Sequence, residues 1–329
     1  MRYLKSINKH RTEILALVIL ALGLTRLMAM APGVYAAQPM VDLQTAAPFS
    51  ILSGTPNITD AGNTSSIVGN VGLSPASGSG IGLVCSQVQG TIYSVDAAGP
   101  LPCRVTNGPL LVTAKNDLTA AYIDAAGRTP VTTVPTELGG TTKFAGVYDS
   151  GSTTFNITAG AGPLVLDGQG DSSSVFIFEA PASAPGLVVG PGSVVSLING
   201  AQACNVFWRV DTATINTTAV FKGNILALNS ITVANGANIE GRLLARNGNV
   251  TLINDVITIA NCATPTSGGS GAGAGAGSGS GSSTSAVVPG LPDTGVNPGN
   301  SGAAWNIVIA SGIVAGLAII VVARKRRVI

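Results

Sequence analysis

Apolar and polar positions alternate in short runs between Val195 and Thr258, and the runs recur along the chain. Segments starting at Val195, Ala213, Ile231 and Val250 align at shifts of 18, 18 and 19 residues. One aligned column holds Leu197, Ile215, Val233 and Leu252, and the column before it holds Ser196, Thr214, Thr232 and Thr251. An apolar residue beside a hydroxylic one, repeated in this way, predicts a strand with one face in a core and the other in water. A third column, Asn199, Thr217, Asn235 and Asn254, is followed closely by Gly200, Gly236 or Asp255. That is turn chemistry at a repeated corner. A second strand series follows in "NVFWR" (205–209), "NILAL" (224–228) and "RLLAR" (242–246). Two or three short strands per period of about 18 residues make one coil of an all-β solenoid, each coil pairing with its neighbours at about 4.8 Å. Ile225, Val233 and Leu243 then fill the core, and Gly223 and Gly241 mark equivalent turns.

One stretch departs from the period-2 pattern. From 109 to 126, Leu110, Leu111, Ala114, Leu118, Ala121, Tyr122 and Ala125 fall at helical spacing, with Gly127 placed as a C-cap. This predicts a single long α-helix lying along one wall of the solenoid. Leucine-rich repeats would need LxxLxL, and propeller blades are about 40 residues long, so neither fits the period.

The two ends read differently from the middle. Residues 1–37 carry Arg2, Lys5, Lys9 and Arg11 before an apolar run from Ile14 to Leu24, then small residues at Val34 and Ala36, the pattern of a secretory signal peptide. The stretch 266–290 is almost entirely Gly, Ser, Ala and Thr and reads as a linker between a domain at 38–265 and the C-terminal segment 291–329. That segment begins "LPDTG", continues into an apolar stretch at 303–323 long enough to span a bilayer, and ends in Arg324, Lys325, Arg326 and Arg327. It resembles the cell-wall sorting signal of Gram-positive-type bacteria. The resemblance implies cleavage by a sortase between Thr294 and Gly295, attachment of Thr294 to peptidoglycan, and a location on the cell wall or cell surface.

Charge and composition then narrow the chemistry. Nine of the 17 basic residues but only Glu13 of the 15 acidic residues lie in the signal peptide or beyond Thr294, so the expected mature part holds eight bases against fourteen acids. Such a surface disfavours nucleic acid. The sole histidine, His10, falls in the signal peptide, which removes histidine-based catalysis and the commonest transition-metal ligand. Asp167, Asp171, Glu179 and Asp211 cluster only loosely, and Asp60, Asp96 and Asp171 have no calcium-loop spacing. No enzyme activity, metal or cofactor is expected. Four cysteines allow three pairings. Export permits oxidation, and the favoured set joins Cys85 to Cys103 across a short insertion and Cys204 to Cys262 within the last part of the domain.

Several blocks taken together resemble the microbial ice-binding protein family: "GNVGLSP" (69–75), "NDLTAAYIDAAGR" (116–128), "LGGTTKFAGVY" (138–148), "SSVFIF" (173–178), "INGAQACNVFW" (198–208) and "GNILALNSITVANGANIEGRLLARNG" from Gly223. The resemblance implies a right-handed, irregular β-solenoid of roughly triangular section with one long helix packed alongside. It also implies coils that do not all stack in sequence order, a cap insertion at about 83–107, and a flat face that adsorbs to ice. A receptor for ice gains nothing from charge. It needs a rigid surface on which hydroxyls anchor ordered water and methyls disfavour other hydration geometries. The expected ice-binding face is Ser196, Thr214, Thr232 and Thr251 with Asn216 and Ala234. A competing face carries Leu226, Leu228, Asn229, Leu244, Arg246 and Asn247. The alternative function is that of a general wall-anchored adhesin binding polysaccharide or another surface. Aromatic platforms would favour sugar, and Trp208 lies in a strand whose neighbours mark it as core.

Overall fold

The computed structural model describes residues 38–180 and 185–262. The proposed signal peptide, the whole of the proposed linker and the proposed sorting segment lie outside them. Among the described residues no helix is long and apolar enough to cross a membrane.

Every strand pairing is parallel, and each coil contributes to up to three rows of strands. The coil at 231–245 shows the plan. Ile231–Val233 lies in a seven-stranded sheet, the first row. Asn238–Ala245 then runs through two rows as one bent strand. Its first half, Asn238 to Glu240, pairs with Val256–Thr258 in the second row, and its second half pairs with Phe49–Ser53 in the third. The bend falls at Gly241, opposite Gly223 in register, and both have positive φ, +156° and +118°. A Cβ on Gly241 would sit 1.8 Å from the Gly223 carbonyl oxygen, so only glycine fits. The expectation of equivalent turns at these two glycines is met.

The stacking order is not the chain order. Along the first row the strands follow as Phe155–Ile157, Leu187–Val189, Ala213–Ile215, Ile231–Val233, Val250–Leu252, Ile58–Asp60 and Ile81–Gly82. The coil nearest the N-terminus therefore seats on the one nearest the C-terminus. The third row shows the same junction, where Ile51 and Leu52 meet Leu243 and Leu244. Further along that row, beyond Asn70–Leu73, come Ile92–Ser94 and finally Arg104–Thr106, and the Cys85–Cys103 disulfide ties the residue before this last strand to the turn that follows Ile81–Gly82. The second disulfide joins Cys204 to Cys262. Both have Cα atoms 5.5 Å apart, and both are the favoured pairings.

Inward residues from the three rows share one core, in which Ile225, Val233 and Leu243 are fully buried as expected. Aromatic side chains cluster within it. Trp208 stacks on Phe178 at 4.1 Å, stands edge-on to Phe155, and donates its indole N–H to the Lys222 carbonyl at 3.2 Å.

A second apolar cluster lies outside the third row. Helix α1, Gly108–Ala126, begins one residue earlier than the spacing suggests because Asn107 caps it, its side chain accepting the Leu110 N–H at 3.1 Å. Pro109 occupies the first turn, where its missing N–H costs nothing. Leu111, Ala114, Leu118, Ala121, Tyr122 and Ala125 are buried against Phe49, Leu52, Ile177, Phe207, Leu226 and Leu244. Leu110 is only half-buried. Each large apolar side chain buried in this way contributes about 1.5–3 kcal/mol. Gly127 does close the helix, but with φ −90° and ψ 0°, so the left-handed freedom of glycine is not used.

The corner between the first and second rows holds two buried carboxylates. The Asp255 carboxylate accepts the N–H groups of Ala237 at 2.9 Å and Ile253 at 2.8 Å, while the Ser65 hydroxyl accepts the Asp255 backbone N–H and donates to the Asp60 carboxylate. Burial, with the nearby charge of Asp60 adding to it, pushes Asp255 up to about 6. Between its unfolded value of 3.8 and about 6 the folded chain keeps a proton that the unfolded chain has released. The stability from this group is therefore full below the lower value and is lost as pH rises through the upper one. The expected outcome is a melting temperature that declines between pH 4 and pH 7, with a shallower decline in Asp255→Asn. Thermal melts across that range check it.

Candidate functional site

The middle residue of each first-row strand points outward, because its two neighbours are in the core. Register then places Asn156, Val188, Thr214, Thr232, Thr251, Thr59 and Gly82 side by side, one per coil. Four consecutive members are threonines. Thr232 is exposed, and Thr59, Thr214 and Thr251 are half-buried. Two residues further along each strand, Asn216, Ala234, Ile253 and Ala61 form a second outward column; two residues before, Thr212, Ser230, Asn249 and Asn57 form a third. None of these columns contains a charged residue or an aromatic ring.

A solid core lies behind the face. Ala213, Ile215, Ile231, Val233, Val250, Leu252 and Ile58 are all at most 1% exposed and hold the strands at a fixed height. Hydrogen bonds stiffen the outer layer at one end: Ser230 donates to Asn249 at 2.8 Å, and Asn249 donates to the Thr251 hydroxyl at 3.0 Å. Asn216 turns its amide onto the Val189 carbonyl at 2.9 Å. Within the described residues the hydroxyls of Thr214 and Thr232 make no hydrogen bond to the protein, which leaves them for water.

Five of the six residues expected on this face are therefore together on it: Thr214, Asn216, Thr232, Ala234 and Thr251. Ser196 is not. It lies in a separate three-stranded sheet, opposite Val165, which in turn is opposite Thr142. This sheet continues the second row through the bridge between Val194 and Val220. The cause is an irregular coil. The strand neighbour of Thr214 is Val188, 26 residues earlier, and the extra residues form the turn from Asn199 to Asn205 that carries Cys204. An 18-residue shift across that turn aligns a second-row strand with a first-row one. Thr59 was missed for the opposite reason: its coil joins the ladder from the far end of the chain. Its signal is Ile58-Thr59-Asp60 followed by a turn at Gly62 and Asn63, both with positive φ.

The competing face is closed. Leu226 and Leu244 are fully buried beneath α1. Arg246 lies 4.8 Å over the Tyr122 ring and bonds Thr119, and Lys115 of the helix donates to the carbonyls of Ala245 and Arg246. The outer side of the second row is open but carries the Lys222–Glu240 ion pair at 2.6 Å. Hydrated charges there break up any ordered water layer.

The acidic residues considered for catalysis are dispersed in structural contacts. Asp167 accepts from Asn199 at 2.9 Å, Asp171 from the Ser173 N–H at 2.8 Å, and Asp211 from Asn229 at 2.6 Å. Glu179 pairs with Arg209 at 3.3 Å, and burial raises its pKa. Asp96 accepts the N–H groups of Gly78 and Ala98. Among the described residues no three His, Cys, Asp or Glu side chains are grouped to hold a metal.

Residues 51–258 match the family described as ice-binding-like. An ice-binding protein of Flavobacterium frigoris is 40% identical over 224 residues, 67% of this chain and 76% of the relative. One from a Colwellia species is 40% identical over 221 residues, covering 66% and 81%. Among solved structures, an ice-binding protein domain of Shewanella frigidimarina superposes with a TM-score of 0.60 at 30% identity, covering 68% of this chain and 99% of that one. An ice-binding protein from an Antarctic biological consortium gives a TM-score of 0.58 at 32% identity, covering 70% and 96%. A family match over more than half the chain, the shared fold and the uncharged threonine row agree: this chain belongs to the ice-binding-like family.

Proposed function

We propose that the chain binds ice, and that the outer surface of the first row is where it does so. The observation that carries this reading is the in-register ladder Thr214, Thr232, Thr251 and Thr59 on an uncharged sheet with a solid core behind it. Threonines repeating at about 4.8 Å lie close to the oxygen spacing of ice. Their hydroxyls hold the first water layer while their methyls restrict its alternatives. The names of the relatives support the same activity. An adhesin for polysaccharide would favour an aromatic platform, which these three columns lack.

Finer features belong to the same proposal. The coils wind right-handedly, as parallel crossovers do, and three rows per coil enclose a roughly triangular section. The insertion at 83–107 caps one end of the stack. Export by the 1–37 signal peptide, a membrane-spanning stretch at 303–323 before sorting, sortase cleavage between Thr294 and Gly295 and a link to peptidoglycan would place the domain on the cell wall. All of those segments lie outside the described residues.

The chain from Gln38 to Pro265 is expected to show thermal hysteresis and to shape ice crystals. Absence of both in a folded sample would overturn the reading. Val188 interrupts the ladder beside Thr214. Val188→Thr lengthens the threonine run from four to five, and hysteresis is expected to rise by roughly a quarter, in proportion to matched area. A fall would mean that the edge of the ice-binding surface lies elsewhere.

A further inference from the structure

Arg242 is a cation buried without a counter-charge. It is 8% exposed, and no carboxylate of the described residues forms an ion pair with it. Burial lowers its pKa to about 10, with no carboxylate opposing the shift. A buried charge ordinarily has an opposite charge beside it, because the interior returns little of the hydration that the group gives up. The hydrogen bonds of the side chain show where an opposite charge fits. Nε donates to the Ala47 carbonyl at 2.8 Å, and Nη1 donates to the Asn224 side chain at 2.8 Å and the Ala260 carbonyl at 3.1 Å. These bonds use three of the five guanidinium N–H donors and leave both of those on Nη2. Nη2 bonds none of the described residues, and it is not sealed from water as Arg104 Nε is.

A cavity of about 180 Å³ opens beside Arg242. Val41, Leu43 and Phe207 give it apolar walls, and the covalently joined Cys204 and Cys262 close one side. Its floor is rigid, because Phe207, Asn224 and Arg242 are neighbours in register on adjoining strands. Asn261 and Asp42 also line it, and both are exposed, so they form the rim. The Asn261 amide has no partner among the described residues. The Asp42 carboxylate is turned to the start of the Gln44–Ala46 turn, where its Oδ1 accepts the Gln44 N–H at 2.9 Å. Its negative charge is therefore held at the rim and not on Arg242.

We propose that this cavity binds a small monocarboxylate, its anionic head on Nη2 of Arg242 and its apolar body against Val41, Leu43 and Phe207. An apolar cavity of about 150 Å³ takes a molecule the size of benzene, so the space suits a carboxylate with a body of up to one ring. Only Nη2 is available, so the head is held through one nitrogen and not as a fork across two. A second negative charge on the ligand would meet Asp42 at the rim, which favours monoanions over phosphate or dicarboxylates. The site lies where the chain entry at Ala47, the turn at Cys204 and the stretch at Ala260 meet, so an occupant stabilises the fold by mass action.

The test follows the melting temperature of the chain from Gln38 to Thr294 with sodium benzoate as the probe. A ligand of this size binds at roughly millimolar concentration, so about 20 mM benzoate should raise the melting temperature by roughly 3–7 °C. Benzamide, the neutral isostere, and sodium chloride or phosphate at matched ionic strength should each give less than about a quarter of that rise. Ala47→Leu keeps the backbone carbonyl that Arg242 uses while its side chain fills the cavity, and should abolish the benzoate effect. A second measurement needs no variant: in the unmodified protein the benzoate ring protons should show nuclear Overhauser contacts to the methyls of Val41 and Leu43. An equal rise with benzamide or with chloride would overturn the proposal, as would the absence of those contacts. A rise with benzoate seen only in Asp42→Asn would overturn it too, by showing that Asp42 itself neutralises Arg242.

Discussion

Thr232→Tyr should reduce thermal hysteresis to about a tenth or less, since each 1.4 kcal/mol of lost adsorption is a tenfold loss of affinity. Thr232 is the exposed member at the middle of the threonine run, flanked in register by Thr214 and Thr251. A phenol ring there stands clear of the neighbouring methyls and hydroxyls and holds the lattice off the coils on both sides. The loss is larger than one residue's contact because a rigid plane cannot deform around a protrusion. Folding should be nearly untouched: the site is exposed, tyrosine is a good strand former, and surface changes of this kind stay within about 0.5 kcal/mol. Asn238→Tyr, on the exposed second row, is the matched control and should leave hysteresis unchanged. Equal activity of the Thr232 variant and the parent would move the site off the first row.

Arg242→Met should cost about 3–5 kcal/mol, a large part of the 5–15 kcal/mol typical of a domain. Arg242 is 8% exposed, and its guanidinium donates to the Ala47 carbonyl at 2.8 Å, the Asn224 side chain at 2.8 Å and the Ala260 carbonyl at 3.1 Å. Burial pulls its pKa down to about 10, which still leaves it cationic at neutral pH. Asn224 in turn donates to the carbonyls of Cys204 and Val206 at 3.0 Å. One buried cation therefore joins the entry of the chain, the turn at Cys204 and the exit before Cys262. Removing it strands acceptors in the interior, each costing about 1–3 kcal/mol. Urea unfolding measures the loss, and Asn224→Leu combined with Arg242→Met should be less than additive, because the two side chains share one network. A change under 1 kcal/mol would show that water replaces the guanidinium.

Much of the fold was legible locally. The alternation around Thr214, Thr232 and Thr251 predicted their strands and their outward direction, and Leu111 to Ala125 predicted the buried stripe of α1. Asn107 as the helix cap escaped notice because its effect depends on a single side-chain hydrogen bond rather than on periodicity. The candidate site was legible wherever successive coils keep the 18- or 19-residue period, and it failed where the period breaks. Ser196 falls in the ladder only by counting 18 residues across the longer turn that carries Cys204.

By itself the sequence determined the short-range facts: which residues are strand, helix or corner, and which side of each strand is apolar, because those follow from the 2- and 3.6-residue periods of the backbone. Only the tertiary structure decided which strands are neighbours. That Thr59 extends the row beyond Thr251, that Val188 and not Ser196 precedes Thr214, and that α1 covers Leu226 and Leu244 all depend on contacts between distant parts of the chain. The physical reason is that any coil exposes the same unpaired backbone groups on both sides, so hydrogen bonding alone accepts many partners. The choice falls to packing of the whole core, and that choice makes four scattered threonines one surface.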